Sequence, residues 1–296
     1  MEITALALLL LGVLLAEPVS RVLSRARWPG RDPVGALLVW QGIGLAGGLS
    51  LLGAGVVYGL APLGDSLPAA VAALTPDGLL RLPPLHVAAL VAALLLALRL
   101  IGVLVAVTVR TLRARRRHRD LLDVLGTPWP AAPGARVLDH PVPVAYCLPG
   151  LRSRLVLSAG VLDALDPAGV RAVLAHERAH LRERHDLVVL PFVAWGATAP
   201  FVRGMVCAQL AVAALIEMRA DDVAATRAER AELVGALRTM GGAAPAAALS
   251  SFTTALDRRL DRIADPPAPL SLVSRVLVRV AAGGLVAVPA LLLLLP

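Results

Sequence analysis

The stretch Asp166-Pro-Ala-Gly-Val-Arg-Ala-Val-Leu-Ala-His-Glu-Arg-Ala-His-Leu-Arg-Glu-Arg184 decides how the chain is read. Asp166 suits an N-cap and Pro167 a first helical residue, so a helix is expected to open there and run to about Arg184. Residues four apart share a helix face, so His176 and His180 can aim both imidazoles at one ion, and Glu177 between them can reach a water on that ion. Zinc suits such ligands, and a catalytic site keeps one coordination position open for water. Composition alone would give this H-E-x-x-H pattern by accident in roughly one chain of this length in a few hundred. The bland alternative is a pair of polar positions on an amphipathic helix. The helix cap and a downstream carboxylate weigh against it. Glu217 is the candidate third ligand, and Asp221, one turn later on the same face, can hold a ligand histidine's other nitrogen. Glu183, His185, Asp186 and Asp222 are rivals for the third place, although the first three lie too near the helix end to curl back easily; His185 and Asp186 are expected instead to cap or neighbour the site.

Outward from this helix the chain turns apolar. Its 296 residues are 57% hydrophobic and only 17% charged, and a mean hydropathy of +0.75 makes a membrane protein the default. The net charge of +8 is carried by arginine without a single lysine. These arginines cluster beside apolar spans, where anionic lipid and topology account for them, and nucleic-acid binding is not expected. Two cysteines, Cys147 and Cys207, are too few for a disulfide framework and lack thiolate zinc spacing, so both read as free thiols.

Four transmembrane helices are expected, over Ile3–Leu23, Pro33–Gly64, Leu85–Val109 and Val280–Pro296. Glu2 before the first and Arg21, Arg25 and Arg27 after it reverse the charge order of a secretory signal and suit a retained anchor. In the second span Gly44 and Gly48, and again Gly55 and Gly59, sit four apart; close approach of another helix and scattered apolar-helix glycine are equally good readings. Arg99 interrupts the third span and should face protein or water, or else snorkel. Arg21, Arg25, Arg27 and Arg31 in the first loop, and the run from Arg110 to Arg119 after the third span, put those segments in the cytoplasm by the positive-inside rule. Both chain termini are then outside the plasma membrane, with no domain beyond the fourth span.

Between spans three and four a turn-rich linker, Thr127–Gly134, precedes short strands near Ala135–Leu138, Val142–Leu148 and Arg154–Ser158. Beyond the motif helix, Leu187–Val202 and Gly204–Ile216 are apolar but only 16 and 13 residues long, short of the ~20 a crossing needs. A buried or re-entrant hairpin is preferred, because the histidines and Glu217 must share one side of the membrane. Arg219–Leu237 reads as helical, and Gly241–Ala248 and Asp265–Pro269 as linkers. The expected fold is mostly α: residues 1–109 as three spans, 110–272 as a cytoplasmic α+β metallopeptidase domain holding a small sheet and the motif helix, with the hairpin at 187–216, and 273–296 as the last span.

Several motifs together resemble the BlaR/MecR-type family of integral membrane zinc metallopeptidases, gluzincins related more distantly to the prenyl-protein and heat-shock membrane proteases. They are Ala145-Tyr-Cys-Leu-Pro-Gly150, Leu155-Val-Leu-Ser158, Val173-Leu-Ala-His-Glu-Arg-Ala-His180, Glu217-Met-Arg-Ala-Asp221 and Arg259-Leu-Asp-Arg-Ile263. The resemblance implies zinc held by His176, His180 and Glu217, catalysis by Glu177, and a gluzincin-like fold whose sheet edge accepts a substrate peptide as an added strand. It also implies a protease domain acting on itself or on a regulatory protein such as a transcriptional repressor. Two departures stand out. A penicillin-binding sensor domain is not expected after the last span, and His185 stands where the family pattern has an aspartate, with Asp186 next to it.

The leading functional expectation is a membrane-embedded zinc endopeptidase hydrolysing peptide bonds through a zinc-activated water. A proteolytically silent transducer, using the zinc domain as a scaffold for a partner, is the alternative from a different class. A transporter is a distant third.

Overall fold

Where a helix begins and ends in this chain follows from caps and breakers more than from hydropathy. The computed structural model describes residues 1–150, 153–241 and 249–294. These fall into two compact units, one of Met1–Val107, Pro191–Val212 and Leu270–Pro296, the other of Thr108–Leu190 and Ala213–Pro269. Among the described residues four helices are long and apolar enough to cross a membrane, which supports a membrane protein: Glu2–Arg25, Pro33–Leu63, Pro84–Leu125 and Leu272–Leu294. The first contains a π turn over Leu15–Val19 around Pro18, and the hydroxyl of Ser20 donates to the Leu15 carbonyl at 2.7 Å there.

Two of these helices outrun the apolar runs that announce them. The last starts at Leu272, eight residues before Val280, because Ser271 caps it by accepting the Ser274 N–H at 3.1 Å. Arg275 and Arg279 ride on its first turns, and Arg279 reaches Asp32 at 3.1 Å. Similarly, Pro84–Leu125 continues through the arginine run until Gly126.

Inside the first unit, glycines settle the packing of the Pro33–Leu60 helix. A Cβ at Gly55 would stand 2.8 Å from the Ala93 Cβ and 3.1 Å from the Ala89 carbonyl, and one at Gly59 would lie 3.0 Å from the His86 carbonyl. That pair therefore permits close approach of the Pro84–Leu125 helix. Gly48 instead makes room for the Trp195 ring, and Gly44 faces Trp195 at ordinary contact distance. The segment expected as a hairpin forms two helices, His185–Thr198 and Arg203–Ala224. Arg99 donates to the Thr198 carbonyl from Nε at 3.2 Å and Nη2 at 2.9 Å, so it faces protein at a helix C-terminus, where a cation is favoured. Glu17 accepts the Gly204 N–H at 2.7 Å at the other helix's start and pairs with Arg21.

The second unit carries a four-stranded sheet in the order β1 (Thr127–Pro128), β2 (Ala135–Leu138), β4 (Arg154–Ser158), β3 (Ala145–Leu148). β2 and β4 run parallel, while β1 pairs with β2 and β3 with β4 antiparallel. β1 lies inside the stretch that reads as a linker, being too short to announce itself. β3 starts at Ala145 rather than Val142, since Pro141 and Pro143 lack donors and Ser158 Oγ takes up the Val142 carbonyl and the Val144 N–H. Behind the sheet, Leu155 and Leu157 of β4 meet Val170, Val173 and Leu174 of the motif helix, at the i, i+3, i+4 spacing of one helix face.

The helix expected over Arg219–Leu237 is two. Arg203–Ala224 ends, and Arg230–Gly241 begins after Glu229, whose N–H is accepted by the Glu232 carboxylate at 3.3 Å as in a capping box. The last helix of the unit is Leu249–Ala264. Past Gly241, the linker expected to Ala248 lies outside the described residues.

Gly55→Val forces the Gly55–Ala93 contact apart and should cost about 1–3 kcal/mol. Gly102→Val, at a helical glycine with nothing within 4 Å of an added Cβ, serves as control. Unfolding in mixed micelles should show a lowered midpoint for the first and not the second.

Candidate metal centre

The Pro167–Arg182 helix is fixed at its start by Asp166, whose carboxylate accepts the Gly169 N–H at 2.7 Å. Its apolar face is held by the sheet. That leaves His176 and His180 facing one another from successive turns, with Nε2 atoms 3.1 Å apart. Glu217, near the end of the Arg203–Ala224 helix, brings Oε2 to 3.5 Å from His176 Nε2 and Oε1 to 3.5 Å from His180 Nε2. One donor atom from each of the three residues falls within 4.8 Å of the others.

The donor set fits a metal on its own chemistry. Zinc–nitrogen bonds of about 2.0–2.1 Å in a tetrahedral site put two imidazole nitrogens roughly 3.3 Å apart, close to the spacing seen. Two nitrogen lone pairs cannot face one another at such a distance without a cation between them. Where that cation is a proton, His176 carries it: burial opposes its charge, yet Asp221 and Glu217 raise it to about 9. Burial first, then His176, His185 and Arg259, push His180 down to about 4 against the pull of Glu217. Glu217 is disfavoured as a carboxylate by burial, but His176, Arg259 and His180 bring it to about 2, so it is charged and ready to bind a cation.

Asp221 lies one turn beyond Glu217 and is 1% exposed. Its Oδ1 is 3.0 Å from His176 Nδ1. Arg259, from the Leu249–Ala264 helix, donates to both Asp221 oxygens from Nε and Nη2 at 2.8 Å each, and its Nη1 reaches Glu217 Oε2 at 2.9 Å. One guanidinium thus bridges two carboxylates that would otherwise repel at i, i+4.

Glu177, the residue between the histidines, is half-buried against β3. Burial raises its carboxyl to about 6, opposed by His176 and by hydrogen bonding to Cys147. The Cys147 thiol is pushed up to about 12 by burial and by Glu177, so it is neutral, unreactive and able to donate to that carboxylate. A carboxylate near 6 is poised for proton exchange at neutral pH.

The rivals for the third ligand are each engaged elsewhere. Asp222 pairs with Arg262 at 2.6 Å and Asp186 with Arg115 at 2.8 Å. Glu183 takes a forked contact from Arg219 at 2.6–3.0 Å. His185 does turn back, onto the far side of His180. Sequence reasoning missed two contributors. Cys147 read as a free thiol and, like Arg259, as part of a supporting motif, with no role at the site; a buried Glu-x-x-x-Asp demands a cation, but nothing in the sequence says which of many arginines supplies it.

A helix-borne pair of histidines, a glutamate from a second helix and a further carboxylate between the histidines match the donor set of a metallopeptidase-type centre. Residues 108–265 match the model of peptidase family M48, and the chain belongs to that family of zinc metallopeptidases. No curated protein and no solved structure matches the chain.

Removing Arg259 leaves two buried carboxylates without their counter-charge. Arg259→Leu should destabilise the second unit by about 3–5 kcal/mol. Arg259→Leu combined with Asp221→Asn should cost clearly less than the two single losses together, and a double-mutant cycle on chemical unfolding reads the difference.

Proposed function

We propose that this chain is a membrane-embedded zinc endopeptidase in which His176, His180 and Glu217 hold the metal, Glu177 is the general base and Asp221 orients His176. The observation that carries this reading is the convergence of two Nε2 atoms at 3.1 Å with both oxygens of Glu217 at 3.5 Å, beside a half-buried glutamate. When bound, zinc supplies Lewis acidity toward a peptide carbonyl and lowers the pKa of water toward neutrality. Glu177 takes the proton of the attacking water and passes it to the leaving amine. Asp221 Oδ1, 3.0 Å from His176 Nδ1, is the group placed to take that nitrogen's proton and so favour the tautomer that leaves Nε2 free, and Arg259 pairs with both carboxylates.

Substrate enters as an extended peptide along β3. That strand is an edge of the sheet, with β4 its partner on one side, and Cys147 on it contacts the Glu177 carboxylate, so a strand added there runs past the base. The peptidase domain, residues 110–272, is cytoplasmic, with three spans before it and one after in the plasma membrane and both termini outside. The arginines after the first and third spans support that orientation. The finer kinship is with the BlaR/MecR-type peptidases, and the substrate is a regulatory or membrane-adjacent protein, including this chain itself.

Glu177→Gln keeps the three metal donors and removes the base. Purified in detergent, the variant should retain zinc by metal analysis and cleave a proteome-derived peptide library about 10²–10⁴-fold more slowly than the wild type. In cells, one regulator should accumulate. Undiminished cleavage by the variant, or a wild-type protein free of zinc, overturns the assignment.

A further inference from the structure

His176 has a carboxylate behind it, whereas behind His180 stands another histidine. His185 Nδ1 lies 3.0 Å from His180 Nδ1, and its Nε2 lies 3.2 Å from Glu183 Oε2. Glu183 is in turn forked by Arg219, two residues after Glu217 on the same helix. His185 is 4% exposed, so water does not complete its hydrogen bonding.

We propose that His185 is the positioning residue of His180, accepting its Nδ1–H on a bare Nδ1 and donating its own Nε2–H to the Arg219-clamped Glu183. This rests on the reading that His180 holds zinc through Nε2. A histidine that gives its Nε2 lone pair to a metal carries its proton on Nδ1. Two nitrogens 3.0 Å apart share a single proton, so His185 Nδ1 is the acceptor and its ring proton sits on Nε2, facing a carboxylate. Each partner then donates or accepts in one way only.

The backbone is bent to make this contact. On an unbroken helix residue 185 would lie about 140° around the axis from residue 180 and point away from it. The motif helix ends at Arg182, and Arg184 takes φ +51°, a left-handed conformation uncommon for a residue with a side chain. Such strain persists where the surroundings over-determine it. The turn carries His185 back over His180 as the first residue of the next helix.

The test uses the full-length protein in detergent and reads the zinc dissociation constant by competition with a chromophoric chelator. In His185→Asn the side-chain oxygen can stand where Nδ1 was, whereas in His185→Gln the amide reaches the Nε2 position instead. The proposal expects Asn to bind zinc within a few-fold of wild type, and Gln and Ala to bind about 10–100-fold more weakly. A space-filling role reverses that order, and Gln binding as well as or better than Asn overturns the proposal. Labelling the six histidines with ¹⁵N gives a sparse spectrum of the wild-type zinc form that needs no variant to fold. His185 protonated on Nε2 alone supports the proposal, and a proton on its Nδ1 overturns it. Wild-type protein that takes up no zinc overturns this inference together with the proposed function; wild type that binds zinc while His185→Ala binds equally well overturns the positioning role alone.

Discussion

Two imidazole nitrogens held 3.1 Å apart on adjacent turns of one helix are the constraint to which the second unit is built. Helical periodicity alone brings the rings to one face. Keeping both Nε2 atoms turned inward requires that each Nδ1 be occupied from outside, and each has a partner at 3.0 Å, Asp221 for His176 and His185 for His180. The sheet packs the opposite face of the same helix, and that packing fixes which way the histidine face points.

Charge follows from that geometry. Glu177, Glu217 and Asp221 present three carboxylates, and Arg259 offsets one of them, so the cluster is two positive charges short of neutral. A divalent cation among the three donors would supply that deficit, whereas the proton drawn to His176 supplies only half of it. The Glu183–Arg219 pair is neutral by itself and leaves the balance unchanged. Burying unpaired charge is costly, so a donor set of this kind stays assembled only with compensation near to hand.

Much of this was legible in the sequence because it depends on local rules. Asp166 and Pro167 mark a helix start, His176 and His180 share a face by spacing, and Glu217 with Asp221 repeats the same i, i+4 logic, so the residues that meet could be named without coordinates. Long apolar runs announced four helices in the same way. Long-range choices were not legible. Arg259 reaches Asp221 across 38 positions and Arg219 reaches Glu183 across 36, and neither distance leaves a periodic trace. That His185 would neighbour the site was legible, but its contact with His180 was not, since it depends on a left-handed Arg184 where sequence rules expect glycine or asparagine. The apolar run at the end of the chain begins eight residues after its helix does, because hydropathy registers Arg275 and Arg279 but is blind to the Ser271 cap.

The absence of lysine takes on another meaning at the site. Composition bias is enough to explain it, yet the second unit makes repeated use of the planar fork that only arginine has. Arg259 grips both oxygens of Asp221, Arg219 both of Glu183, and Arg262 both of Asp222. An ammonium would neutralise one carboxylate as a point charge, but it could not hold Asp221 in a fixed plane while a third nitrogen reaches Glu217. Two parallel hydrogen bonds set the orientation of a carboxylate as well as its charge. The Asp221 oxygen held in this way lies 3.0 Å from His176 Nδ1, so the arginine fork links the last helix of the unit, through Asp221, to one histidine of the candidate metal cluster.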